Sequence, residues 1–375
     1  MSPIGIAAVA TVLTIALIAV AFILFLRMLA RRVVGVTPRR KPLTVSREGD
    51  TVILPRSVET EAPGHYGLWF GEGFSEHAVV GDVLSTTSST VTRRAEGSHA
   101  TASAPFVALW TGHTLAGPAA LRLPWQDVSV PLADGTAAPA WFFPAETERA
   151  RWAVHVQGIR TSRLVTLRAV EAAQRSGYAS LVITYRSAGD GPPAEASTLG
   201  LSEWTDLRDA VEYARSSGAT AVTVMAWSMG AGLALELARR EPAAVDSLIL
   251  ICPATNWRRI VRHGAEKAHL PPFVGSAAIG FLASPLLSRL VGLARPIDFD
   301  ALDWSRVDAL TIPTLVIHSA GDDEIPVELS RDFAAAHPEL VTLVETKSAP
   351  HGWEPNVDPA GFADAISSWS TRIQN

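Results

Sequence analysis

A serine between a strand-like run and a helix-like run is the residue whose surroundings most clearly indicate chemistry. The segment AVTVMAWSMGAGLALELA extends from Ala221 to Ala238, and Ser228 stands where its β-branched part ends. Because a serine hydroxyl is a weak nucleophile, it needs a neighbouring base and a third group that orients the base. Ala226 and Gly230, two positions to either side, are small enough for a strand and a helix to close on each other. The pattern predicts a hydroxyl raised on a sharp turn, although chance matches are common in an alanine-rich chain.

Two later segments supply a base and an acid. LVIHSAGDDEIPV is an apolar strand followed at once by carboxylates, and SAPHGWE places His351 in a loop after the next predicted strand, LVTLVET. In a parallel sheet, the residues that follow successive strands meet at one edge. His351 is therefore predicted to take the proton of Ser228, while Asp322 holds the imidazole in one tautomer and stabilises its cation. A turn aspartate and a surface histidine are the alternatives, but the coincidence of all three residues favours chemistry.

The elements that position these residues alternate between apolar strands and helices through the last two thirds of the chain. A hairpin is followed by strands and helices of ordinary length, including a helix over residues 202–216 that is capped by Ser202. This alternation predicts an α/β fold in which a mostly parallel sheet carries helices on both faces. Residues 254–310 interrupt the alternation, and we expect them to form a helical cap inserted in a domain of residues 121–375.

The N-terminal segment is long and apolar enough to cross a membrane. Residues 3–26 carry no charged side chain, and a bilayer core needs about 20 apolar helical residues. The basic residues all follow, within the juxtamembrane segment 27–41: Arg27, Arg31, Arg32, Arg39, Arg40 and Lys41. A cleaved signal peptide, the alternative, carries its basic residues before a shorter apolar core. We therefore predict one transmembrane helix in the cell membrane and, since basic flanks stay inside, a cytoplasmic location for the rest of the chain.

Residues 42–120 have a different texture, rich in valine, threonine, serine and glycine and with little helical periodicity. The runs TVILP, HYGLWF, HAVVGDVLS and FVALW indicate short strands divided by turn residues. They predict either a β-rich extension packed on the main domain or a partly ordered spacer from the membrane. No residue in this region suggests chemistry.

Composition excludes several classes of function. The formal net charge of −5 gives no indication of nucleic acid as a partner. Cys252 is the one cysteine, so an internal disulfide framework is excluded. We find no histidine, cysteine and carboxylate spacing typical of a metal site and no glycine-rich phosphate loop, and we expect no cofactor. His155 and His318 lie inside apolar strands and are predicted to be buried histidines with satisfied hydrogen bonds. The sequence does not indicate an oligomeric state.

From Leu121 to Asn375 these motifs together resemble the α/β-hydrolase superfamily, in its bacterial serine esterase, lipase and peptidase branches. AWSMG is similar to the nucleophile elbow of that family, with Ala226 in place of the usual first glycine. HSAGDDEIP resembles the family's acid loop, HGxxDxxVP, which selects Asp322 over its neighbours Asp323 and Glu324. PHGWE resembles the family's histidine loop.

The resemblance also implies an oxyanion hole. WAVHVQGIR is similar to the His-Gly motif after the family's third strand, with Gln157 where histidine is usual. By this resemblance, the backbone N–H groups of Ile159 and Met229 stabilise the oxyanion, and the substitution at Gln157 does not remove them. Arg160 and Arg163 are interpreted as solvated surface arginines, with orientation of the loop or of a substrate carboxylate as the alternative.

A second apolar segment, Pro271 to Ala294, bears on the topology. If it crossed a membrane, Ser228 would lie on the opposite side from Asp322 and His351, so we interpret it as a cap over the pocket that can also rest on the membrane surface. Together with the predicted N-terminal anchor, the resemblance then implies a membrane-anchored serine hydrolase that cleaves an ester, thioester or amide of a small-molecule or lipid-like acyl substrate through an acyl-enzyme. Carboxylesterase or lipase activity is the first expectation, and acyl transfer and peptidase activity are the alternatives. A non-catalytic ligand-binding or scaffold protein of the same fold is the alternative.

Overall fold

The structure, a computed structural model, describes residues 2–38, 40–96, 105–145, 151–306 and 310–373. Arg39 of the predicted basic segment lies outside these ranges, as do short stretches of each predicted domain. The helices are α1 (Pro3–Val34), α2 (Val58–Glu61), α3 (Leu167–Arg175), α4 (Trp204–Ser216), α5 (Gly230–Arg240), α6 (Trp257–Lys267), α7 (Pro272–Ala283), α8 (Glu328–Ala336), α9 (Glu354–Val357) and α10 (Pro359–Arg372).

The strands form two separate sheets. The first consists of β1 (Pro42–Glu48), β2 (Thr51–Pro55), β3 (Tyr66–Phe70), β4 (Glu76–Thr86), β5 (Thr90–Glu96) and β6 (Phe106–Thr111). The second consists of β7 (Gln126–Pro131), β8 (Ala137–Phe143), β9 (Arg151–Val156), β10 (Ala179–Ile183), β11 (Ala221–Trp227), β12 (Ser247–Ile251), β13 (Thr314–Ser319) and β14 (Val341–Thr346).

Helix α1 is, within the described ranges, the one helix long and apolar enough to cross a membrane, a property that signal sequences share. The helix continues past the predicted span of residues 3–26 as far as Val34. Leu26, Ala30 and Val34 are spaced by four residues, so they lie on one helical face, and all three are buried in the main hydrophobic core. The basic segment is therefore more than a flank of the apolar run, because its first part packs on the folded domain.

The first sheet is a closed antiparallel barrel with the strand order β1-β2-β5-β4-β3-β6. Closure leaves no strand edge unpaired, and the inward side chains form a small apolar core of their own. For residues 42–120 the sequence allowed either a β-rich extension or a partly ordered spacer, and the structure shows a β-rich unit. Strands β1 and β5 were not predicted, since PLTVSRE and TVTRRAE alternate apolar with polar residues and carry charges.

The second sheet has eight strands in the order β14-β13-β12-β11-β9-β10-β8-β7. Strands β9 to β14 pair in parallel, and the hairpin of β7 and β8 adds an antiparallel edge. Residues of α3 and α10 pack on one face, while residues of α4, α5 and α8 pack on the other. This is the α/β arrangement that the sequence predicts.

The predicted cap of α4 is wrong. The helix begins at Trp204, and Glu203 takes the N-cap position. The buried Glu203 carboxylate accepts hydrogen bonds from the Ser197 hydroxyl at 2.6 Å and from the Thr198 backbone N–H at 2.8 Å. Ser202 lies in the turn before the helix, where its hydroxyl is 2.7 Å from that of Thr198. The carboxylate reaches more donors than a serine hydroxyl could, so it organises this turn.

Helices α6 and α7 lie between β12 and β13, where the sequence predicts an inserted cap. Asn256 caps α6 by accepting from the Arg259 backbone N–H at 3.0 Å. The apolar segment from Pro271 forms α7, which has 12 residues, and then a short 3₁₀ turn, Ser288–Val291. A helix of this length is too short to cross a bilayer. The predicted domain limits at residues 42, 121, 254 and 310 stay predictions.

Candidate active site

Ser228 lies on a strained turn between β11 and α5. Its φ angle is +51°, in the left-handed region that side chains other than glycine rarely adopt. Such strain persists where the surrounding structure imposes it, and it is frequent at functional sites. A Cβ atom at Gly230 would lie 2.6 Å from the carbonyl oxygen of Gln157 and 2.9 Å from that of Val156. The lack of a side chain at Gly230, two residues after Ser228, is therefore a steric requirement of this turn.

The structure brings Ser228, His351 and Asp322 together at the carboxyl edge of the sheet. Asp322 follows β13 and His351 follows β14, as the sequence predicts. The Ser228 Oγ atom lies 3.0 Å from His351 Nε2, and His351 Nδ1 lies 2.6 Å from Asp322 Oδ2. With the ring proton on Nδ1, the imidazole donates to the carboxylate and accepts from the serine hydroxyl.

Asp322 is the carboxylate that reaches His351. Its Oδ1 atom accepts from the backbone N–H groups of Glu324 and Ile325, each at 2.9 Å. The buried His318 places its Nε2 atom 3.0 Å from Asp322 Oδ2, which therefore contacts two imidazoles. Asp323 instead pairs with Lys267 at 2.5 Å. The two neighbouring carboxylates thus have different environments.

The pKa values of the pair shift in opposite directions. Burial is the largest single effect and opposes a charge on His351, but the adjacent Asp322 carboxylate, together with Cys252, holds the pKa of His351 well above its ordinary value. Burial by itself would raise the pKa of Asp322, yet the charge of His351 and the hydrogen bond from His318 hold it below its ordinary range. Asp322 is therefore an anion at neutral pH, and it makes His351 a stronger base.

Ile159 and Met229, which carry the two predicted oxyanion donors, lie in the loops that follow β9 and β11. Strands β9 and β11 are parallel neighbours in which Val156 pairs with Ala226, so the loops after both strands lie side by side. A Cβ atom at Gly158 would be 3.5 Å from Ser228 Oγ. Among the described residues, no backbone acceptor is bonded to the N–H of Ile159 or of Met229. Both predicted donors therefore flank the turn that carries Ser228.

A cavity of about 430 Å³ opens above Ser228 and His351. Its walls come from the end of α1, the loop after β9 and the helices α6 and α7. The apolar part of the lining includes Leu29, Val33, Ile159, Trp257, Ile260, Val274 and Ala278. The basic part includes Arg32, Lys41, Arg160 and Lys267, and Glu324 is the acidic residue. Such a lining suits an apolar group that is attached to a polar or anionic one.

Residues 152–365, more than half of the chain, match the alpha/beta hydrolase family. The chain belongs to this family. Residues 41–111, which include the barrel, match a separate family described as a domain of unknown function (DUF8805). No curated protein sequence matches the chain.

Solved structures share the hydrolase fold. The esterase Pf2001 of Pyrococcus furiosus is 20% identical over 68% of this chain and 94% of its own, with a TM-score of 0.55. DcsB, determined with its substrate analogue, is 18% identical over 67% of this chain and 99% of its own, with a TM-score of 0.50. At these identities the likeness concerns the fold.

The interpretation of Arg160 and Arg163 as solvated surface residues is wrong. Arg160 donates to the backbone oxygens of Gly35 and Val33 at 2.7 and 2.8 Å, and to that of Arg32. Arg163 is buried, with its guanidinium 4.0 Å from the centre of the Trp141 ring. Carbonyl groups at the end of a helix lack partners within the helix. Arg160 therefore joins the loop that carries Ile159 to the end of α1 in this hydrolase.

Sequence reasoning missed Cys252, whose Sγ atom lies 4.0 Å from His351 Nε2. It follows β12 at the same sheet edge as Ser228, and this position was the available signal. Donor atoms of Cys252, Asp322 and His351 lie within 4.8 Å of one another, close enough to hold a metal ion. Burial raises the pKa of Cys252 to about 12, so without a metal the group is a thiol at neutral pH. His351 and Asp322 are already joined by a hydrogen bond, and we interpret the three residues as a hydrogen-bonded site.

Glu354 is a second residue that sequence reasoning missed. It begins α9, three residues after His351, and is fully buried. Burial raises the pKa of Glu354 to about 7, and the nearby Asp322 carboxylate adds to the effect. The imidazoles of His318 and His351 oppose this rise, and burial lowers the pKa of Arg168 to about 10. A carboxyl group that titrates near neutral pH thus lies behind the proposed base.

His155 and His318 are buried, as predicted. His318 uses both ring nitrogens, since Nδ1 lies 2.7 Å from the Ser330 hydroxyl. His155 Nε2 lies 3.0 Å from the Ser180 hydroxyl, but its Nδ1 has no partner in the described part of the chain. Burial lowers the pKa of His155 to about 3, so this ring is neutral. The prediction of satisfied hydrogen bonds is therefore confirmed for His318 and half confirmed for His155.

Proposed function

We propose that this protein is a membrane-anchored serine hydrolase that cleaves an ester through an acyl-enzyme on Ser228. One observation carries the proposal: the unbroken series of contacts from the Ser228 hydroxyl through His351 to Asp322, at 3.0 and 2.6 Å. The strained φ angle of Ser228 and the place of this residue in the lining of a cavity add support. Thioesters and amides are open to the same chemistry.

In the first half of the reaction, the Ser228 oxygen attacks the carbonyl carbon of the ester. The hydroxyl proton passes to His351 Nε2, and Asp322 stabilises the imidazolium that forms. The negative charge on the carbonyl oxygen is stabilised by the N–H groups of Met229 and Ile159. When the bond to the leaving oxygen breaks, His351 returns its proton to that oxygen, and an alcohol departs.

In the second half, water replaces the alcohol. His351 takes a proton from the water as its oxygen attacks the acyl carbon, and the same two N–H groups stabilise the second oxyanion. Collapse of this intermediate breaks the bond to Ser228, which regains its proton from His351, and a carboxylic acid leaves. An alcohol in place of water makes the protein an acyltransferase with the same residues.

Similarity supports an ester as the first substrate class to test. The Pyrococcus furiosus protein of the same fold is an esterase by name. The apolar side of the cavity suits an acyl chain. We also propose that α1 anchors the protein in the cell membrane with the hydrolase domain in the cytoplasm, because arginines follow its apolar part.

A fluorophosphonate probe tests the proposed nucleophile directly. The full-length protein in detergent is expected to be labelled covalently at Ser228, and Ser228→Ala is expected to abolish both labelling and hydrolysis of p-nitrophenyl esters. Ser202→Ala, which changes a serine outside the site, is the control and should be labelled like the wild type. If the folded wild type stays unlabelled, a ligand-binding or scaffold role replaces the proposal. A series of acyl chain lengths then defines the substrate.

A further inference from the structure

Exposed apolar side chains of the cap adjoin α1. The side chains of Phe273, Leu286 and Leu290 are 60%, 77% and 46% exposed, and we call these three residues the cap face. The Phe273 ring lies against that of Phe22 in α1, with 6.4 Å between the ring centres. Arg27 Nε donates to the backbone oxygen of Leu290 at 2.9 Å. The exposed apolar surface of α1 therefore continues onto the cap.

The contact with Phe22 indicates the depth of the cap face. Phe22 precedes Arg27 by five residues, which corresponds to about 7 Å along a helix. The charge of Arg27 marks the end of the apolar run of α1. In a bilayer crossed by α1, a side chain packed on Phe22 lies on the apolar side of Arg27. Phe273 is thus at the level of the lipid chains and not in the water.

We propose that the cap face docks on the bilayer that α1 crosses, and that the site takes its substrate, an acyl lipid, from this bilayer. The inference rests on the function proposed above and names its substrate class. The cavity has walls on the same two helices that carry the contact, with Leu29 and Val33 from α1 and Val274 from α7. Leu29 follows Phe22 by seven residues, or about 10 Å of helix. An acyl chain therefore has an apolar path from the cap face to Ser228.

Charge around the cap face fits a phospholipid surface. A second cavity, beside the end of α1, is lined by Arg31, Arg32 and Arg289 with one acid, Glu195. It shares Arg32 and Arg160 with the cavity above Ser228. Basic residues at this level of a membrane helix contact anionic lipid headgroups. The apolar cap face and these arginines together form the pattern of a surface that rests in the interface.

Activity on two substrates tests the proposal. Full-length protein is placed in vesicles of phosphatidylcholine and phosphatidylglycerol, and hydrolysis is measured for a long-chain fluorogenic ester embedded in the bilayer and for water-soluble p-nitrophenyl butyrate. Leu286→Glu is expected to lower kcat/KM for the embedded ester about tenfold, the effect expected when one large apolar side chain loses its burial. Activity on the soluble ester should stay within about twofold of the wild type. Phe273→Glu should act in the same way.

The controls separate this inference from the proposed function. Val58, 70% exposed on α2 of the barrel, provides a matched apolar position, and Val58→Glu should behave as the wild type on both substrates. Equal losses in Leu286→Glu and Val58→Glu would overturn the inference, as would no loss in Leu286→Glu. If the wild type shows no Ser228-dependent hydrolysis of the soluble ester, the proposed function itself is rejected.

A depth measurement gives an independent readout that does not depend on activity. A nitroxide label on Leu286→Cys in vesicles is expected to collide more often with oxygen, which concentrates in lipid, than with a water-soluble nickel complex. A label on Val58→Cys should show the reverse. The native Cys252 is buried, so the label goes to the introduced cysteine. Equal water exposure of the two labels contradicts docking of the cap face.

Discussion

The barrel and the hydrolase domain both bury charged side chains, but they surround them differently. In the barrel, Arg93 is fully buried and donates to four backbone oxygens, those of Gly81, Thr60, Ala62 and Gly64, at 2.7 to 2.9 Å. In the hydrolase domain, neither carboxylate oxygen of the buried Glu354 has a partner among the described residues. The guanidinium of Arg93 therefore has a full set of hydrogen bonds, whereas the carboxyl group of Glu354 has none in the described part of the chain that would hold it in one protonation state.

The contrast separates a structural charge from charges that can take part in chemistry. Burial lowers the pKa of Arg93, yet a guanidinium group stays ionised in proteins, and four carbonyl partners fix it in place. Around His351, by contrast, opposed and unpaired charges move pKa values in both directions. Perturbed groups of this kind cluster at functional sites. The difference leads us to expect that substitutions in the barrel change stability, whereas substitutions around His351 change rates and pH dependence.

The largest effect is expected for His351→Ala. Removal of the base should lower turnover of p-nitrophenyl esters by roughly four orders of magnitude, because Ser228 then loses its proton acceptor. The thermal unfolding temperature should change little, since the ring is partly exposed and Asp322 keeps its hydrogen bond with His318. His263→Ala is a control in the same cavity and should retain most activity. Near-normal turnover in His351→Ala would refute the proposed base and remove the contrast with the barrel.

Arg93→Met should have the opposite signature. Four buried carbonyl groups lose their donor, so the free energy of unfolding should fall by about 3–5 kcal/mol. Chemical denaturation of the full-length protein in detergent measures this, and kcat per folded molecule should stay within about twofold. Arg94→Met is the matched control, because the neighbouring side chain is 56% exposed and its loss should cost less than about 1 kcal/mol. A selective loss of kcat in Arg93→Met would show that the barrel takes part in the reaction.

The sequence predicts the sheet and the three polar residues at its edge well, because both depend on local patterns. Ser228, Asp322 and His351 each follow an apolar run, and parallel strands bring such positions together. The turn around Ser228 also follows from the sizes of Ala226 and Gly230. These features require no knowledge of which distant side chains meet.

What the sequence did not predict depends on contacts between distant segments. Arg160 binds the end of α1, more than a hundred residues earlier in the chain. Glu354 is buried near Asp322, and Arg93 is buried within a short polar strand. A charged residue next to polar residues is usually exposed, so the pattern favours a solvated surface. Only the packed structure shows that these charges are inside.

The smallest effect concerns Glu354→Gln, and its sign depends on pH. The folded protein keeps the Glu354 proton up to a pKa of about 7, whereas the ordinary value is 4.5. Between these values the folded state binds more protons than the unfolded chain, so wild-type stability falls as the pH rises through this window. Glutamine does not titrate, and Glu354→Gln should therefore lack this loss. Its advantage over the wild type should grow to at most about 3 kcal/mol above neutral pH.

Thermal unfolding of both proteins across this pH window measures the difference, with the exposed Glu171→Gln as a control that should follow the wild type. If the unfolding temperatures of the wild type and Glu354→Gln change in parallel with pH, Glu354 ionises with an ordinary pKa. Its carboxylate would then have hydrogen-bond partners, as the guanidinium of Arg93 does. Diverging curves would instead mean that the site keeps a carboxyl group protonated behind Asp322. Ionisation of Glu354 then adds a negative charge near His351, so the acidic limb of kcat/KM should also move to lower pH in Glu354→Gln.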